Sequence, residues 1–184
     1  CLYLRWTKRM AMSTKTADHT KVADLEERVK TALEEVKDPE IRALSVVELG
    51  IIVDIRADED GKVKVVMTPT FSGCPALNIM QEQVKTRAGK VPGVTQAEVD
   101  VNYDVQWNTN MITDKGRQKM QDFGITPPAC YSDDLDVSVV EDAECPHCGS
   151  NDTTMQSPFG PTLCRSIHYC RNCQETFEQF KPVG

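Results

Sequence analysis

Cys145-Pro146-His147-Cys148 and Cys170-Arg171-Asn172-Cys173 lie twenty-one residues apart near the end of the 184-residue chain. Each C-x-x-C turn sets two thiols on one side of a short knuckle. Two knuckles facing each other supply four sulfurs in a tetrahedron, a donor set suited to zinc or a single iron, zinc being favoured because four-thiolate ribbons are usually structural. A site closed by four thiolates has no open coordination position, so its expected role is structural: it folds about forty residues that cannot build a core alone. Gly149 follows the first knuckle, and Gln174 stands at the matching place after the second. Residues 153–169 are expected to form a hairpin turning through Ser157-Pro158-Phe159-Gly160-Pro161, and Thr176-Phe177-Glu178-Gln179-Phe180 a last strand. The unit expected over 145–182 is therefore a metal-stapled ribbon with ligands Cys145, Cys148, Cys170 and Cys173. Cys164 is left over as an additional thiol: buried, reactive or an alternative ligand.

Working back from the knuckles, residues 130–144 hold Asp133, Asp134, Asp136, Glu141, Asp142 and Glu144, which predicts an acidic, solvated linker. Upstream, Val22, Leu25, Val29, Leu33 and Val36 recur at helical spacing, and Asp38-Pro39 ends the helix. The β-branched run from Val46 to Ile55, the turn Asp58-Glu59-Asp60-Gly61 and the strand Lys62–Met67 read as a hairpin. Leu77, Met80, Val84 and Ala88 mark a second helix, with Pro75 in its first turn. Ala97, Val99, Val101, Tyr103 and Val105 alternate with polar residues, as in a strand buried on one face. A short helix is expected from 113 to 123, closing at Gly124. These elements predict a small α+β domain over residues 21–129, its helices packed on a mostly antiparallel sheet. Residues 1–20 are expected to form a disordered tail, with Met10 or Met12 as the initiator.

Composition narrows the function classes. The net charge of −7 gives no electrostatic support to nucleic-acid binding. No run of eighteen apolar residues spans a membrane. Eight cysteines, four single and four at metal spacing, fit a reducing cytoplasm better than a disulfide framework. Cys74 precedes Pro75 and a helix. A helix N-terminus favours thiolate, and Gly73, Thr70 and Ser72 surround the thiol, so Cys74 is either a nucleophile or soft-metal ligand, or simply buried. A cysteine hydrolase needs a histidine partner, and His19, His147 and His168 lie in the tail and ribbon.

Asp38-Pro39-Glu40, Glu48-Leu49-Gly50-Ile51-Ile52, and Thr68-Pro69-Thr70 followed by Gly73-Cys74-Pro75 resemble the SufT-type iron–sulfur assembly domain. Further on come Trp107-Asn108-Thr109-Asn110-Met111, Gly116-Arg117, Phe123-Gly124-Ile125-Thr126-Pro127-Pro128, both knuckles, Phe159-Gly160-Pro161-Thr162-Leu163-Cys164 and Glu175-Thr176-Phe177. Their order resembles the PaaD family of the phenylacetyl-CoA epoxidase system over residues 22–182. Asn110-Met111 departs from the aspartate–aromatic pair expected there. The resemblance implies an iron–sulfur-assembly-like domain followed by a zinc ribbon. It also implies an accessory role in aerobic phenylacetate breakdown, with epoxidase subunits and iron–sulfur assembly machinery as partners. Cys74 would transiently hold iron or a cluster, with Asp38, Glu40 and Thr70 beside it. The chain has neither a carboxylate-and-histidine helix pair for a di-iron centre nor a dinucleotide fingerprint, which argues against the oxygenase and reductase roles. A non-catalytic scaffold, or a thiol redox protein using Cys74 and Cys164, are the alternatives.

Overall fold

The computed structural model describes residues 16–71, 75–130 and 143–182. The expected tail before residue 16, most of the acidic linker, and Ser72, Gly73 and Cys74 lie outside them. The chain divides into two compact units between Gln106 and Trp107. Among the described residues no helix is long and apolar enough to cross a membrane.

The first unit runs α1 (Thr16–Leu33), β1 (Ile52–Ala57), β2 (Lys62–Met67), α2 (Leu77–Gly89) and β3 (Gln96–Val101). Leu25, Val29 and Leu33 are buried, as the 3.6-residue period of α1 requires. The helix begins at Thr16, inside the expected tail, and ends at Leu33 rather than at Asp38-Pro39, so the buried Val36 lies beyond it. Leu77, Met80, Val84 and Ala88 form the buried stripe of α2. Both helices contact the sheet, whose Ile55, Val63, Val65 and Met67 are buried in turn.

The strand order is β1-β2-β3. β1 and β2 pair antiparallel as the expected hairpin, but β2 and β3 pair parallel, from Lys62↔Gln96 to Met67↔Val101. The mostly antiparallel sheet is thus corrected to an even mixture. The reason lies in the connection: β2 reaches β3 through α2, and a helical crossover returns the chain in the same direction.

Two further boundaries move. The run from Val46 is not strand until Ile52. Ser45 and Glu48 close a capped turn first: Ser45 Oγ accepts from the Glu48 N–H at 3.1 Å, and Glu48 Oε2 accepts from the Ser45 N–H at 3.0 Å. β3 ends at Val101, which leaves Tyr103 exposed rather than on the buried face. Thr68 Oγ1 donates to the Val105 carbonyl at 2.6 Å and ties down the chain beyond the strand.

The second unit holds α3 (Asp114–Asp122), β4 (Ile125–Thr126), β5 (Thr153–Ser157), β6 (Arg165–Cys170) and β7 (Thr176–Phe180), with sheet order β4-β7-β6-β5. β5, β6 and β7 form the antiparallel ribbon. The helix expected to close the first domain belongs here instead. β4 follows α3 and pairs parallel with β7, Ile125 against Glu178 and Thr126 against Gln179. Trp107 packs edge-on against Phe180, ring centroids 6.1 Å apart. Arg117 on α3 donates through Nη2 to the Thr109 carbonyl at 2.5 Å and through Nη1 to the Pro128 carbonyl. The Arg117 bonds hold residues 107–130 together, and the β4–β7 pairing and the Trp107–Phe180 contact join them to the ribbon in a unit that begins at Trp107.

Candidate metal centre

The two knuckles are built alike. In each, the N–H of the first cysteine donates to the carbonyl five residues on: Cys145 to Ser150 at 3.0 Å, Cys170 to Glu175 at 2.9 Å. The N–H four residues on returns to the first cysteine's carbonyl: Gly149 to Cys145 and Gln174 to Cys170, both 2.9 Å. This tight loop demands a left-handed residue at the fourth place. Gly149 takes it at φ 69° and Gln174 at φ 63°, the positive-φ residue other than glycine among those described. The second knuckle therefore carries the backbone strain that the first avoids.

The four Sγ atoms lie within 4.8 Å of one another. Cys145 and Cys173 sulfurs are 3.6 Å apart, as are those of Cys148 and Cys170. A tetrahedron of metal–sulfur bonds near 2.3 Å has edges of about 3.8 Å, close to the two 3.6 Å pairs, so this donor set suits a zinc-sized ion. Cys145 and Cys170 are buried with Ala143 and Phe177, and Cys173 packs against this cluster. Three of the four candidate ligands thus belong to this small cluster, and Cys148 lies exposed at its edge.

Electrostatics make the same point. The Asn172 amide, 3.5 Å from Cys148 Sγ, and the Ser150 N–H hold the exposed Cys148 thiol down to about 6. Burial pushes Cys145 up against the pull of the His147 and Cys148 N–H groups. At Cys173 the Glu175 N–H pulls downward, but burial and the three neighbouring cysteines outweigh it and carry the thiol up to about 12. Four thiolates cannot share this space uncompensated; a divalent cation removes the conflict.

The remaining candidate residues are not in this cluster. Cys164 is half-buried, its Sγ 3.1 Å from Thr162 Oγ1, and is not one of the converging sulfurs. In the first unit, Asp38 Oδ1 accepts from the N–H groups of Glu40 at 2.8 Å and Ile41 at 2.7 Å, capping the turn after α1. Asp38 and Pro39 line a shallow groove together with Asn78 and Ile79 of α2, so the Asp-Pro-Glu loop borders the start of that helix. Thr70 is half-buried in the loop after β2. α2 begins at Leu77, two residues beyond Pro75, with Ala76 as its N-cap. Cys74, the central candidate, lies outside the described residues.

Sequence reasoning missed the buried Glu48–Ser45 pair, although Ser45-Val46-Val47-Glu48 carries the S-x-x-E signature of a capping box. It also missed Arg117 as the organiser of residues 107–130. No sequence pattern marks that role, because both acceptors are backbone carbonyls, which any residue supplies.

Two family models match the chain: the PaaD zinc beta ribbon domain over residues 132–181 and the iron–sulfur cluster assembly protein family over residues 26–101. A protein of Escherichia coli strain K12 named as one of the subunits of 1,2-phenylacetyl-CoA epoxidase is 34% identical over 151 residues, 82% of this chain and 89% of that protein. The Fe-S protein maturation auxiliary factor YitW of Bacillus subtilis is 35% identical over 48% of this chain and 86% of its own length. Among solved structures, a domain of unknown function from Bacillus anthracis superposes with a TM-score of 0.53 at 28% identity, covering 55% of this chain and 96% of that one. The iron–sulfur assembly match ends at residue 101 and the ribbon match begins at 132, so residues 107–130 lie in neither. With its fold, its four converging thiols and a relative matched over nearly its whole length, the chain belongs to the PaaD family of phenylacetyl-CoA epoxidase subunits.

Proposed function

We propose that this protein is a non-catalytic accessory factor of a multicomponent phenylacetyl-CoA epoxidase, and that it assists the insertion of iron or an iron–sulfur cluster into that enzyme. The observation that carries the reading is the joining, in one chain, of an iron–sulfur-assembly domain and a closed four-thiol ribbon. Four sulfurs at tetrahedral spacing hold zinc as a staple and leave no coordination position for exchange. Handling of a transient metal therefore falls to the first unit. There Cys74, beside the loop that leads into α2, is the candidate thiolate, with Asp38, Glu40 and Thr70 as its polar surroundings. Asp38 supports this in one respect: its shared groove with the first turns of α2 brings the Asp-Pro-Glu loop next to the segment that Cys74 precedes. The relatives named as Fe-S maturation factors, each matching less than half of this chain, support the same assignment.

The test compares Cys74→Ser with the unchanged protein in cells producing the epoxidase subunits. The expected result is a folded, zinc-loaded accessory protein and an epoxidase deficient in iron or cluster by elemental and spectroscopic analysis. Fully metallated, active epoxidase from the Cys74→Ser strain would sink the carrier role and leave a scaffold role.

A further inference from the structure

Residues of the segment that neither family model covers join with the ribbon to line a cavity of about 360 Å³. That size lies at the lower end of the range for small-molecule sites, roughly 300–1,000 Å³. Its lining residues all belong to the second unit, and none is a ligand of the four-sulfur cluster. Arg117 is the cation of this cavity. A guanidinium carries five N–H donors. Nη2 of Arg117 donates to the Thr109 carbonyl and Nη1 to the Pro128 carbonyl, which fixes the group in place. The Nε–H is shut off from solvent and has no acceptor. Asp114, three residues earlier on α3, acts on the guanidinium only through its field, and burial outweighs that field and lowers the pKa of Arg117 from its usual value. A buried charged donor left unmet costs more than a neutral one, so an orphan of this kind calls for an acceptor.

Gln179 supplies a second donor to the same cavity. It is 1% exposed, and its Oε1 faces Ser166 Oγ at 3.5 Å, a hydroxyl that also lies 3.0 Å from His168 Nε2. With the carbonyl end of the amide turned to Ser166, the NH2 end is the one left for the cavity that Gln179 lines. Exposed Gln121 stands at the rim, and Pro128 and Pro146 make part of the wall apolar. Glu144, also exposed, is the one acid among the described lining residues.

We propose that this cavity binds a small monocarboxylic acid, its carboxylate held by Arg117 and the Gln179 amide and its short carbon chain lying against the prolines. A planar guanidinium and a planar amide match the flat, two-oxygen shape of a carboxylate. The rim selects the same class. Glu144 repels a dianion such as inorganic phosphate about twice as strongly as a monoanion, in proportion to its charge. The site lies in the second unit and the proposed carrier thiol in the first, so either assignment can fail without the other.

The test uses the full-length, zinc-loaded protein, with butyrate as the probe and inorganic phosphate beside it. The side-chain Nε–H resonance of Arg117, identified as the one missing from Arg117→Lys, should shift saturably with butyrate and less with phosphate. Gln121→Glu and Glu144→Gln leave both tethers of Arg117 in place, so they test the site even where Arg117→Lys does not fold. By calorimetry Gln121→Glu should weaken butyrate binding several-fold and Glu144→Gln should tighten it several-fold. Both differences should shrink as salt is raised, with zinc content and melting temperature unchanged. No saturable shift with butyrate, or an affinity that neither charge variant alters, overturns the site. Phosphate binding more tightly than butyrate overturns the carboxylate assignment in favour of a general anion site.

Discussion

Leu33, Leu44, Val65, Val84 and Ala88 are all fully buried in the first unit, beneath two helices laid on a sheet. The second unit buries Trp107, Ile112, Met120, Ile125 and Phe180, but around its knuckles the cluster is small: Ala143, Phe177 and two cysteines, with a third cysteine against it. One unit is held by apolar area, about 25 cal/mol for each Å² removed from water, whereas around the knuckles the proposed zinc ion would supply what apolar area does not. The difference teaches where function has room. Cysteines that make up a core cannot release their metal without unfolding it, whereas a domain with an independent apolar core tolerates a reactive thiol at a loop.

That contrast can be broken most forcefully at the knuckles. Cys170→Ser, or a strong chelator, should unfold the ribbon, because structural zinc contributes on the order of 10–16 kcal/mol of apparent folding energy in small metal-dependent domains. Hydrogen exchange should show strands β5–β7 losing protection while β1–β3 keep theirs; equal loss in both sheets would mean the units do not fold separately. The reciprocal change is Leu33→Ala, which should cost the first unit about 2–5 kcal/mol and leave the zinc content unaltered. Zinc lost in parallel with the first unit's melting would contradict the division.

Acid should act on the ribbon first. Metal ligands must be thiolates, so protons compete with zinc and retention falls as pH falls. In the metal-free protein Cys145 and Cys173 are raised by their surroundings, so zinc uptake near neutral pH should release protons, seen as buffer-dependent heats in calorimetry. Heats independent of the buffer would show that the thiols are already ionised. The smallest expected effect lies at Gln174. Replacing it with Gly removes left-handed strain of about 1–2 kcal/mol, partly offset by the greater freedom of glycine in the unfolded chain. The holo-ribbon of Gln174→Gly should melt slightly higher; a lower melting point would mean the Gln174 side chain contributes a contact that outweighs the strain.

How much of this was readable in the sequence differs between the same two regions. The helical stripes at Leu25–Leu33 and Leu77–Ala88 are local patterns, and the structure keeps both, although the first helix stops before Val36. The knuckle spacing is local too, and it brings together the four expected sulfurs. What the sequence hides is pairing at a distance. Alternation in Gln96–Val101 says strand but not direction, so the parallel match to β2 had to come from the structure. The run from Val46 looks like strand because β-branched residues favour extension, yet the Ser45–Glu48 cap overrides that preference for a turn. Ile125-Thr126 is too short to announce itself as a strand, and only its partner β7 makes it one.

That short strand has a consequence for synthesis. β4 ends at Thr126, and the strand it must join, β7, does not begin until Thr176. While the ribosome is still at work, the first unit can fold as it emerges. α3 and β4 must wait for β7, and with them the contact of Trp107 on Phe180. A metal ion gripped by Cys145 and Cys173 shortens the open loop between β4 and β7 and lowers the entropy cost of closing it. An ion bound there would act as a timing device, drawing β7 toward β4 once both knuckles have left the ribosome.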